Sequence, residues 1–143
     1  MRALLEVNVL IALLDAAHVG HATATRWLAG QIVQGWASCT IRQNGCVRIM
    51  SQPAYPGALA AAAVAARLAE ATQHASHEFW ADDISLLTPG AIEWQRVLGH
   101  RQITDSYLLA LAVRHKGRFV TFDRRISVAA VPGAAAHQLA VLA

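Results

Sequence analysis

Charge is scarce in this chain. Only 15% of its 143 residues are Asp, Glu, Lys or Arg, against a usual share of about a quarter. Hydrophobic residues make up 55%, which excludes intrinsic disorder, a state that needs low hydrophobicity and high net charge. Lysine is nearly missing. Lys116 is the single one among 12 basic residues, and all the others are arginine. A planar guanidinium suits phosphate, so the bias is compatible with nucleic-acid binding. A GC-rich genome gives the same bias and also explains the abundance of alanine, and the net charge of +3 decides nothing between the two. Two cysteines, Cys39 and Cys46, are too few for a disulfide framework and read as small buried hydrophobes. Long apolar runs are missing as well. The most apolar window, residues 57–66, is mostly alanine and stops at Arg67, far short of the roughly 20 residues that a bilayer requires. The segment Met1-Arg2-Ala3-Leu4-Leu5-Glu6 reaches an acid at once and lacks a signal-peptide cleavage pattern. The expectation is a cytoplasmic chain that avoids membranes. Neither a Gly-rich phosphate loop nor a Gly-x-Ser-x-Gly elbow occurs, which disfavours nucleotide triphosphatases and serine hydrolases.

What is present alternates between two periodicities. Residues 3–5 form a continuous apolar run ended by Glu6, and residues 7–14 continue it as a helix. Helices are also expected over 18–33, from Thr40 through Gln43, Val47 and Met50, over 58–74, briefly over 91–98, and over 104–115. Thr40 and Thr104 are read as the caps of their helices, and Gly117 as the residue that stops the last one. Strands are expected at 35–40, 77–80, 118–122 and 138–142. Residues 1–143 therefore read as one domain, a three-layer α/β/α sandwich around a parallel sheet.

The placement of the nine acids carries the functional signal. Glu6 and Asp123 each follow an apolar strand, and Asp105 sits in the first turn of a helix that starts from the same sheet edge. Open α/β sheets place their sites outside the carboxyl ends of the strands. Three carboxylates from distant parts of the chain could converge there, at a cost in repulsion unless a cation joins them. An oxygen-only cluster suits Mg²⁺ or Mn²⁺, which can activate water for phosphodiester cleavage. The bland alternative stays open: Glu6 ends a strand, Asp105 caps a helix, Asp123 opens a turn. The pairs His18/His21 and His74/His77 lack a third ligand at zinc spacing and read as surface histidines, while Asp82-Asp83 reads as a solvated turn. Trp27, Trp36, Trp80 and Trp94 read as core more readily than as base-stacking platforms. Arg101, Arg124 and Arg125 either hold phosphates or balance the acids. Ser38 and Ser106 have no His–Asp relay in sight, and a receiver-like phosphotransfer domain lacks its strand-end lysine, since Lys116 lies in a helix–strand turn.

Four stretches together resemble the PIN-domain family, and more narrowly its VapC toxins. They are Leu4-Leu5-Glu6-Val7-Asn8-Val9-Leu10-Ile11-Ala12-Leu13, Asn44-Gly45-Cys46-Val47-Arg48, the run from His100 to Ala112 around Thr104-Asp105-Ser106, and Phe119-Val120-Thr121-Phe122-Asp123. The resemblance implies a PIN fold, an Mg²⁺-dependent endoribonuclease acting on structured RNA, a homodimer, and inhibition by a VapB-type antitoxin. It places the first family acid on Glu6, where aspartate is expected, and the second on Gln43, where glutamate is common. The third and fourth fall on Asp105 and Asp123, which match, and Asn8 and Thr104 fall on supporting polar positions. The departures at positions 6 and 43 imply a weakened nuclease. The alternative is a PIN domain that binds RNA or antitoxin and no longer cuts, and a small open reading frame immediately upstream would favour a toxin pair.

Overall fold

Strand β1 (Ala3–Leu5) has no exposed surface at any of its three residues, and neighbours on both sides account for its unbroken apolarity. The structure, a computed structural model, describes all 143 residues. β1 pairs in parallel with β2 (Trp36–Ser38) on one side and β4 (Arg118–Thr121) on the other. Strand β3 (His77–Phe79) extends the sheet beyond β2, and β5 (Leu139–Val141) extends it beyond β4, so the order is β3-β2-β1-β4-β5 with every pair parallel. The chain thus builds outward from β1 in one direction and then returns to build in the other. The crevice outside the carboxyl ends of β1 and β4 lies where that direction reverses, the usual site position in open α/β sheets.

Successive side chains of the sheet face opposite layers. Ala3, Leu5, Trp36 and Val120 pack beneath α1 (Val7–Leu14), α2 (His21–Gln31), α3 (Thr40–Met50) and α4 (Ala61–Thr72). Leu4, Ala37 and Phe119 pack against α5 (Ile103–Arg114), with Trp80, Ile92 and Val131 completing that layer. The expected α/β/α sandwich is therefore present. Helix α5 is buried continuously from Ser106 to Ala112 because the sheet covers one side and connecting segments cover the other. No helix is long and apolar enough to cross a membrane.

Several local expectations change. Residues 91–98 form only a single 3-10 turn at Trp94–Arg96, and α5 starts at Ile103 after another 3-10 turn, so Thr104 lies inside the helix and does not cap it. Thr40 is likewise the first residue of α3; the Asp82 carboxylate caps that helix by accepting from the Ile41 N–H at 3.0 Å. Helix α5 ends in a Schellman pair, Gly117 N–H to Ala112 O and Lys116 N–H to Val113 O. The left-handed residue there is Lys116, with φ 56°, and not Gly117. Gly117 is needed for a different reason: a Cβ would sit 2.5 Å from the Arg2 carbonyl oxygen and 2.7 Å from the Trp80 ring. Trp36 and Trp80 are core residues as expected, whereas Trp94 is exposed.

Candidate active site

Glu6 leaves β1 at its carboxyl end with its N–H donating to Val120 O of β4 at 2.9 Å, and there becomes the N-cap of α1. Its Oε2 accepts from the backbone N–H of Asn8 at 2.9 Å, satisfying one of the free amides of the helix start. Its Oε1 faces Arg42 of α3, whose Nη1 lies 3.9 Å away. Both residues are only 8% exposed. Burial raises the Glu6 pKa to about 7, and the nearby Asp105 charge adds to the rise; the Asn8 amide and the Arg42 guanidinium oppose it without cancelling it.

Asp105 enters from the first turn of α5. Its pKa is raised too, first by burial and further by Asp123, with Arg42 and Arg125 pulling the other way. Asp123 follows β4, where its N–H donates to the Thr121 hydroxyl at 2.9 Å. Its carboxylate is gripped by the Arg125 fork, Nε to Oδ1 and Nη2 to Oδ2, each at 3.0 Å, which lowers its pKa. The three acids thus share one sheet edge with unequal environments: Glu6 is buried, Asp105 is half-buried, and Asp123 is half-buried and already paired with Arg125.

The remaining predicted residues divide. Asn8 serves Glu6 through its backbone N–H, while its side chain is exposed. Thr104 is exposed and lines a cleft with Ile41, Asp82 and Tyr107. Gln43 does not hydrogen-bond to the acids; its Nε2 donates to the Ser38 hydroxyl at 3.0 Å, and that oxygen lies 2.8 Å from His77 Nε2. No acid completes a relay behind His77. Arg101 lines a cleft of about 220 Å³ with His100, Gln102, Asp123 and Arg125; of the three acids only Asp123 borders it. Asp82, read above as solvated, caps α3, and Asp83 forms an exposed ion pair with Arg114 at 3.6 Å.

Arg42 is the residue that the sequence reading missed. A signal was available: Arg42, Cys46 and Met50 recur at i, i+4 and i+8, and all three are buried, so the arginine lies on the apolar face of α3. An arginine on such a face needs an anion in the interior, and Glu6 is that anion.

The donor set suits a hard divalent cation in part. Glu6 and Asp105 offer only oxygen, and their mutual repulsion is relieved by positive charge. No three His, Cys, Asp or Glu side chains lie close enough to cage an ion by themselves. Two carboxylates without a cage match the habit of Mg²⁺, which keeps several waters and takes further ligands from substrate phosphate.

A family model described as PIN domain matches residues 3–132. Ribonuclease VapC44 of Mycobacterium tuberculosis is 54% identical over 142 residues, covering 99% of this chain and 100% of that protein. Ribonuclease VapC39 of the same organism is 44% identical over 134 residues, covering 93% and 96%. Among solved structures, Mycobacterium tuberculosis VapC20, described as a Sarcin-Ricin loop cleaving toxin, superposes with a TM-score of 0.61 at 17% identity over 92% of this chain and 98% of that one. VapBC2 from Rickettsia felis, bound to a promoter DNA fragment, gives 0.64 at 13% identity over 100% of both chains. At such identities the two structures speak for the fold alone. With a sheet of PIN topology, acids at its switch point and more than half its residues shared with a VapC protein, the chain belongs to the PIN-domain family, in its VapC branch.

Proposed function

We propose that the protein is the RNA-cleaving toxin of a VapBC-type pair, a divalent-cation-dependent endoribonuclease held in check by a VapB-type antitoxin. The observation that carries this reading is the meeting of two carboxyls whose pKa burial raises, Glu6 and Asp105, at the switch point between β1 and β4. The ribonuclease names of the relatives, shared over nearly the full length, support RNA as the substrate.

In this reading Glu6 and Asp105 hold the cation, with Asp123 contributing directly or through water once Arg125 yields it. Mg²⁺, or Mn²⁺ in its place, supplies an activated water and neutralises charge on the departing oxygen. Arg101, exposed in the cleft beside Asp123, offers a phosphate contact for structured RNA. Thr121 fixes the turn that carries Asp123, and Asn8 anchors Glu6. Gln43 brings no charge at a position where the family commonly has glutamate, and Glu6 places its carboxylate further out than aspartate would, so activity is reduced. Residues 1–143 act as one domain, a reading supported by the single continuous sheet, and the family resemblance adds a cytoplasmic homodimer.

The test is cleavage of a structured RNA by purified protein with Mg²⁺ or Mn²⁺. Asp105→Asn should lower the rate at least about 100-fold while circular dichroism stays unchanged. A variant as active as the parent removes the site. A second reading, a PIN domain that binds RNA or antitoxin without cutting, is favoured by Arg42 standing where a cation would bind. It predicts RNA binding with no cleavage in either metal.

A further inference from the structure

One buried charge in the site is not used by the proposed chemistry. Arg42 is 8% exposed, its Nε is buried without any hydrogen-bond partner, and its Nη1 reaches Glu6 Oε1 only at 3.9 Å, beyond hydrogen-bonding distance. A guanidinium that serves as a structural cross-link is normally fixed by several short bonds, often a parallel pair to one carboxylate. Arg125 shows that pattern on Asp123, with two contacts of 3.0 Å. Arg42 does not. It is held by charge in the acid pocket, with desolvation uncompensated at one of its nitrogens. It is also the only basic residue buried in the protein interior. Its backbone is the third residue of α3, next to the exposed Thr40 and Ile41 at the helix start, so the side chain has a short route to water.

We propose that Arg42 is a resident counter-cation of the Glu6–Asp105 pair, and that a divalent cation binds only by displacing its guanidinium. The inference rests on the reading of Glu6 and Asp105 as cation ligands. It makes the cation affinity of this protein a competition: the arginine stabilises the metal-free fold and weakens metal binding by the same contact. Because the competitor is tethered, its local concentration is independent of protein concentration, and the competition acts in every molecule.

The experiment is calorimetric titration of metal-free full-length protein with Mn²⁺, run on the parent, Arg42→Gln, Arg42→Lys and Asp105→Asn. Arg42→Gln removes the charge while keeping a polar, shorter side chain and should bind Mn²⁺ at least tenfold more tightly than the parent. Arg42→Lys keeps a cation and should stay within about threefold of the parent. Thermal melts give a readout independent of catalysis: with chelator, Arg42→Gln should melt below the parent, and added Mn²⁺ should raise its Tm by more. Binding by the glutamine variant that equals or falls below the parent's overturns the competition. An Arg42→Gln protein unfolded in chelator and refolded by Mn²⁺ supports it, and one unfolded in both shows a structural cation that metal cannot replace, which also overturns it. If Asp105→Asn binds Mn²⁺ as the parent does, or no variant binds at all, the acid-pair reading itself has failed.

Discussion

A carboxylate at position 6 has two tasks that compete for its oxygens. One oxygen caps α1 through the Asn8 amide, and the other faces the interior where Asp105 and Arg42 lie. Aspartate is among the preferred N-cap residues, and it would perform the capping from a side chain one carbon shorter. Glutamate keeps the charge and shifts the free oxygen by about the length of a carbon–carbon bond. Mg²⁺ requires near-octahedral geometry at about 2.0–2.1 Å, and a misplacement of about 1 Å can cost on the order of 100-fold in rate. Glu6→Asp is therefore expected to raise Mg²⁺-dependent RNA cleavage at least about tenfold. Gln43→Glu should give less, because Gln43 is hydrogen-bonded to Ser38 and does not face Glu6 through any bond. Initial rates with Mg²⁺ and with Mn²⁺ check the order. A Glu6→Asp protein no faster than the parent in both metals ends the geometric argument.

Helices α1 and α3 owe their close approach to Gly45. A Cβ there would lie 3.2 Å from Val7 Cγ2, tighter than ordinary contact, with Val7 itself the residue next to Glu6. The glycine thus sets how near α3 brings Arg42 to the acid pair. Gly45→Ala asks the neighbour to give by only a few tenths of an ångström and gains helix propensity, so its effect on stability should be small. Gly45→Leu cannot be absorbed that way. Overpacking of this kind costs about 1–3 kcal/mol, and a melting experiment should show a Tm several degrees lower. An unchanged Tm for the leucine variant shows that the two helices are not in limiting contact. Helix termini also show where reading by residue type fell short. Threonines at 40 and 104 satisfy the usual capping preference, yet a carboxylate from residue 82 caps one helix and a 3-10 turn leads into the other. Lys116, not the neighbouring glycine, takes the left-handed position, and Gly117 is required for a separate reason, its close approach to the Arg2 carbonyl.

For the whole molecule, the distribution of charge matters more than its sum. The chain is net basic at +3, but the buried Glu6 and the half-buried Asp105 and Asp123 gather its negative charge at one sheet edge. Such an edge is complementary to an arginine presented by another chain, whose fork can pair with carboxylates at short range. A cognate antitoxin expressed with the protein should therefore co-purify with it, and Asp105→Asn combined with Asp123→Asn should weaken the complex at least tenfold. Pull-down followed by a titration of affinity measures this. A complex indifferent to the double change places the inhibitory contact elsewhere.

The sequence by itself determined the layered α/β/α order, because unbroken apolar runs bounded by acids, alternating with helix-forming stretches, leave few other ways to bury so much hydrophobic surface. It also determined that Glu6, Asp105 and Asp123 share an edge, since strand ends and the helix start fix them there whatever the packing details. Tertiary structure alone decided how each acid is surrounded. Burial against elements far away in the chain raises the pKa of Glu6 and of Asp105, whereas Asp123 is paired by an arginine two residues on that lowers its own. The rotation of α3 about its axis was likewise a tertiary matter. It turns Gln43 toward Ser38 and Arg42 toward Glu6, a difference of one residue and about 100° that the close fit of Gly45 against Val7 imposes.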